Sequence, residues 1–129
     1  MRSLVLALAL GAFAAVPALA DTMHPVFGAK VSGMGEHGIV NFHSYAAQSK
    51  LCWTFELGTK GLTGASIRDA HGMAVARLGT TYRAKGCTKV VTRELSAIES
   101  KLGSYFVWVD TKGHPGDLRG RLFAGMPHM

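Results

Sequence analysis

Hydrophobic and polar positions alternate in short bursts along most of the chain, and each burst is closed by glycine. Leu51, Trp53, Phe55 and Leu57 alternate with Cys52, Thr54 and Glu56, the period of a strand with one buried face. Weaker runs of the same kind predict strands over 29–32, 38–45, 62–67 and 73–78. Turns are predicted at 58–61 and around His71-Gly72. One segment changes period: Val91, Leu95, Ile98 and Leu102 recur at helical spacing, with Thr92 as the expected N-cap and Gly103 as the expected stop. A helix here is expected to lie across an end or open edge of the sheet, shielding a strand edge from pairing with another chain.

Residues 105–122, YFVWVDTKGHPGDLRGRL, predict the last two strands, 104–110 and 117–124, joined by a tight turn at Gly113-His114-Pro115-Gly116. Tyr105 to Val109 is apolar on both faces, which predicts a central strand covered on both sides, with Trp53 and Trp108 as core anchors by default and an exposed stacking platform as the alternative for either. Seven short strands with regular turns point to an all-β antiparallel sandwich carrying one short helix.

The N-terminus is of another kind. Arg2, an apolar run over 4–16 and Ala18-Leu19-Ala20 before Asp21 have the form of a secretory signal peptide, 1–20, removed on export. No later segment is long and apolar enough to cross a bilayer. The expected organisation is a tail over 21–28, one domain over 29–125 and a tail over 126–129, secreted or periplasmic, as a monomer or weak oligomer. Loss of Arg2 takes the formal charge from +6 to +5. The remaining cations are scattered in sequence, with neither a basic cluster nor a base-stacking motif, which argues against nucleic acid as a partner. Two cysteines in an exported chain, Cys52 and Cys87, imply one structural disulfide.

The order of these motifs resembles the chordin-type (CHRD) domain family across roughly 29–125. LCWTFELGTKGLTGA is similar to that family's strand and G-L-T-G turn, here Gly61-Leu62-Thr63-Gly64. IRDAHG, ending at Gly72, stands where the family reads A-H-I-H-G, and HPGDLRGRL is similar to its P-G-G-E-I-R-G-Q-L ending, with Pro115, Arg119 and Gly120 in the matching places. Three positions depart. Of the family's G-A-Q-E-V-P-P opening only Glu36 survives, Asp69 replaces the first histidine of A-H-I-H, and Asp110 replaces the histidine of V-H-T. The resemblance implies a small secreted single-domain member with an immunoglobulin-like Greek-key sandwich, distantly similar to copper/zinc superoxide dismutases.

Two functional readings follow. The first is a non-catalytic binding or envelope-associated module acting on a protein or glycan partner. No nucleophile elbow, free thiol or carboxylate pair suggests catalysis, and a dismutase-like enzyme built on the same sandwich is weaker than either reading, because the histidine spacing it needs is missing. The second is a periplasmic copper- or zinc-binding protein, with Asp69, His71, Asp110 and His114 as ligands, since imidazole and carboxylate suit either ion. Soft ligands at the chain ends, Met23, His24, Met126, His128 and Met129, offer looser copper sites. Arg119 and Arg121, alternating on one strand face, are expected either to fork onto Asp110, Asp117 or Glu56 and fix the hairpin, or to receive a ligand's carboxylate or sulfate.

Overall fold

A computed structural model describes residues 25–127. The expected signal peptide and the terminal ligands Met23, His24, His128 and Met129 lie outside the described residues.

Eight strands form one antiparallel sheet: β1 Val26–Gly33, β2 Glu36–Tyr45, β3 Lys50–Glu56, β4 Leu62–Arg68, β5 Ala74–Arg77, β6 Lys85–Lys89, β7 Phe106–Thr111 and β8 His114–Ala124. Their order is β5-β4-β7-β8-β1-β2-β3-β6. The inner face collects every second residue: Phe27, Ala29 and Val31 of β1, Leu51, Trp53 and Phe55 of β3, Val107 and Val109 of β7, and Leu118 and Leu122 of β8, all buried. The sheet curls until its two edges nearly meet. The stretch between β5 and β6 bridges the gap, since the Tyr82 N–H donates to the Thr63 carbonyl at 3.1 Å and the Phe55 N–H to the Ala84 carbonyl at 2.7 Å. The Tyr82 ring leans on Phe55, 5.4 Å between centroids. The all-β, antiparallel part of the expectation is observed, as one nearly closed, barrel-like sheet.

The sheet begins earlier than its pattern suggested, at Val26, and Pro127 beyond its last strand is buried against Gly28. β6 carries no hydrophobic alternation: no residue of Lys85–Lys89 is buried. Backbone pairing to β3 holds it, together with the disulfide between Cys52 and Cys87, which face each other in the register. Its two terminal lysines suit an edge that must not recruit another strand.

The helix, α1 Thr92–Ser100, buries Leu95 and Ile98 as its spacing requires. Its ends differ from expectation. Val91 occupies the N-cap and is exposed, while the Thr92 hydroxyl donates to the Ala46 carbonyl at 2.9 Å, tying the helix to the β2–β3 connection. The helix ends before Gly103, which lies inside a short 3-10 turn, Leu102–Ser104. Tertiary bonding has taken over what local capping was expected to do.

The final hairpin also turns elsewhere. Thr111 pairs with His114, so Lys112-Gly113 is a two-residue loop with Gly113 at φ 79°. Pro115 and Gly116 lie within β8, at a register shift opposite Val109–Thr111, with Gly116 at φ 68°. Gly120 permits a close strand approach: a Cβ there would stand 2.0 Å from the Lys30 carbonyl oxygen.

Candidate functional site: an arginine and aromatic shelf on the outer face

The outward residues of β4, β7 and β8 make a continuous surface, because antiparallel register sets them side by side. Ser66, Trp108 and Arg119 share one row, and Arg68, Phe106 and Arg121 the next. The Arg119 guanidinium carbon stands 3.8 Å from the Trp108 ring centroid, and that of Arg68 4.4 Å from it. Arg121 lies over Phe106 at 5.2 Å. Guanidinium groups stack well on such rings because the plane is weakly hydrated and the ring face is electron-rich.

Hydrogen bonds aim two of these arginines. Arg68 donates from Nε to the buried Ser66 hydroxyl at 3.0 Å and from Nη1 to the Gly72 carbonyl at 2.9 Å. Arg119 donates from Nε to the Gly116 carbonyl at 2.8 Å, which leaves its terminal nitrogens without a protein acceptor among the described residues. Arg119, with Trp108, Phe106, Arg121, Gly72 and Asp69, lines a cleft of about 370 Å³. The expectation that β7 is covered on both sides therefore needs correction. Its outer face is open, and Trp108 is a half-buried platform under cations.

Among the described residues neither arginine of β8 pairs with a carboxylate. Asp110 Oδ1 accepts the Gly116 N–H at 2.6 Å, and Asp117 Oδ2 accepts the Thr111 hydroxyl. Both aspartates thus stabilise their own hairpin and leave the positive charge beside them unneutralised among the described residues.

The four proposed metal ligands are not gathered. Asp69 Oδ1 accepts the His71 and Met73 N–H groups at 2.9 and 3.0 Å, the bonding of an aspartate that shapes its own turn. Arg68, just before it, pairs with Phe106 at one end of β7, whereas Gly64 pairs with Asp110 at the other. Four residues of strand, roughly 13 Å, separate those two register positions. His71 is exposed in the β4–β5 turn and His114 is exposed at the start of β8. Among the described residues no three His, Cys, Asp or Glu side chains are grouped to hold a metal ion.

The shelf itself was half legible. Arg119 and Arg121 stand out by alternation, but Phe106 and Trp108 read as core, and Arg68 carried no signal until register set it beside them. Compared with known proteins, the chain matches no family model, no curated protein and no solved structure.

Proposed function

We propose that the protein is an exported, non-catalytic binding module of the CHRD type that acts through this outer shelf in the periplasm or cell envelope. One observation carries the reading: two guanidiniums converge on the Trp108 indole and a third lies on Phe106, with no carboxylate paired to them among the described residues. Like charges held together repel, so such a cluster is expected where a partner of opposite charge completes it. The signal-peptide pattern and the disulfide support export. The sheet order supports a Greek-key relation to the sandwich folds: β4 and β7 each lie away from the strand preceding them, as crossing connections require. The motif order that resembles CHRD domains supports the family reading.

The test is to express the full chain in an exporting bacterial host, confirm a mature N-terminus at Asp21 by mass, and fractionate. Mature protein should co-sediment with isolated envelopes, and Trp108→Ala should release it while remaining folded. Equal recovery of wild type and variant in the soluble fraction would overturn the reading.

A further inference from the structure

We propose that the shelf binds acidic glycans, with a uronate carboxylate or a sugar sulfate held by the ring-stacked arginine forks and the sugar hydroxyls taken by polar groups along the cleft. The proposal rests on the binding-module reading and names its ligand class.

The donors come first. Arg119 spends only Nε on the protein, and Arg121 rests on Phe106 with no hydrogen bond among the described residues. Both therefore present terminal N–H groups outward, in the fork that matches two oxygens of a carboxylate or sulfate. Stacking on rigid rings holds these long side chains in place before any ligand arrives, so less rotamer freedom is lost on binding. Lys30 adds a further cation. It lies in β1 between the pairs Ala29–Leu122 and Ser32–Arg119, which sets it beside Arg121, and it is exposed.

The surroundings then select among anions. Asp69 also lines the cleft, but its Oδ1 is engaged by the turn's own N–H groups, so positive charge dominates. A nucleobase would need the face of the indole, and two guanidinium carbons already lie within 4.4 Å of that ring's centroid. The indole N–H of Trp108 makes no hydrogen bond among the described residues, which leaves a donor for a hydroxyl. A cleft of about 370 Å³ suits a sugar unit bearing both hydroxyls and oxyanions.

The test uses the mature, disulfide-bonded protein against polygalacturonate, dextran sulfate, uncharged dextran and polyphosphate at low and moderate salt. Binding is expected to polygalacturonate or dextran sulfate, with none to dextran. Arg121→Gln should weaken it about tenfold or more, and Arg121→Lys should also weaken it, because the charge stays but the fork is lost. Arg93→Gln, which removes an exposed charge from the helix, should leave binding unchanged. Melting curves should show all three variants folded. No binding to either acidic glycan would overturn the proposal, as would polyphosphate binding equally well with Arg93→Gln as damaging as Arg121→Gln. If acidic glycans fail while envelope retention still depends on Trp108, the ligand class is wrong and the binding surface stands. If retention fails too, both fall.

Discussion

The two tryptophans occupy matching places in the pattern and opposite places in the molecule. Each sits in a strand among apolar neighbours, and each lies against a glycine of the adjacent strand: a Cβ on Gly86 would stand 2.9 Å from Trp53, and one on Gly116 would stand 2.7 Å from Trp108. Trp53 is 2% exposed and gives its indole N–H to the Arg83 carbonyl at 2.9 Å, so both its apolar area and its polar atom are provided for. Trp108 points outward, is only half-buried, and is covered by the arginines it supports. The first stabilises the fold and the second organises a surface. Alternation separates the two faces of a strand; it does not say which face another layer will cover.

Truncation is the strongest way to break this contrast. Trp53→Ala should cost about 3–5 kcal/mol in urea unfolding, the range for emptying a packed core of a large aromatic side chain. Trp108→Ala should cost only about 1–2 kcal/mol, mostly lost stacking, while removing the platform for Arg68 and Arg119. Comparable losses at both sites would mean that Trp108 is a second core.

Replacing both Cys52 and Cys87 by Ala should lower stability by about 3–4 kcal/mol, since the bridge closes a loop spanning 35 residues. Because the bridge pins β6, whose Gly86 forms the wall behind Trp53, the loss should make Trp53 more accessible to a fluorescence quencher before Trp108 changes. An unchanged urea midpoint would show that backbone pairing alone holds β6.

The two glycines sharpen the comparison further. Gly86→Ala should destabilise by about 1–3 kcal/mol, because Trp53 has no room to withdraw. Gly116→Ala should cost about 1 kcal/mol, chiefly through its positive φ, since the Trp108 ring can move toward solvent. A larger loss at Gly116 would reverse the order and show that the outer ring is held as firmly as the inner one.

The smallest expected effect concerns Tyr82, at the closing gap beside Phe55. Burial raises its phenol above the ordinary value of 10.0. A phenol that ionises less readily in the folded state contributes stability that is present below pH 10 and lost as the pH rises through its folded value. Thermal melts should therefore fall above about pH 10, and Tyr82→Phe should flatten that limb. An alkaline limb identical in the variant would assign the loss to other groups.

How far the pattern reaches can be judged from particular elements. β3 and the inner residues of α1 were legible because a strong period and a buried face coincide. β6 was not, because an edge strand held by backbone bonds and a disulfide needs no apolar residues. The hairpin motif was legible as a hairpin, but Pro115 and Gly116 mark a bulge in β8, while the turn is made by Lys112 and Gly113. The aspartates of the sequence-derived metal set are hydrogen-bonded within turns, and the register pairs their segments with opposite ends of β7.

By itself the sequence determined the local terms: which segments extend, where glycine lets the backbone bend, which residues face together along one strand, and that two cysteines are available to bridge. Only the tertiary structure decided the order β5-β4-β7-β8-β1-β2-β3-β6 and the near-closure of the sheet. It also decided the register that brings Arg68 of one hairpin against Trp108 and Arg119 of another. The reason is physical. Local periodicity follows from bonds between chain neighbours, whereas a shared surface depends on which distant strands find one another, and that choice is made by burying the inner face of the whole sheet at once.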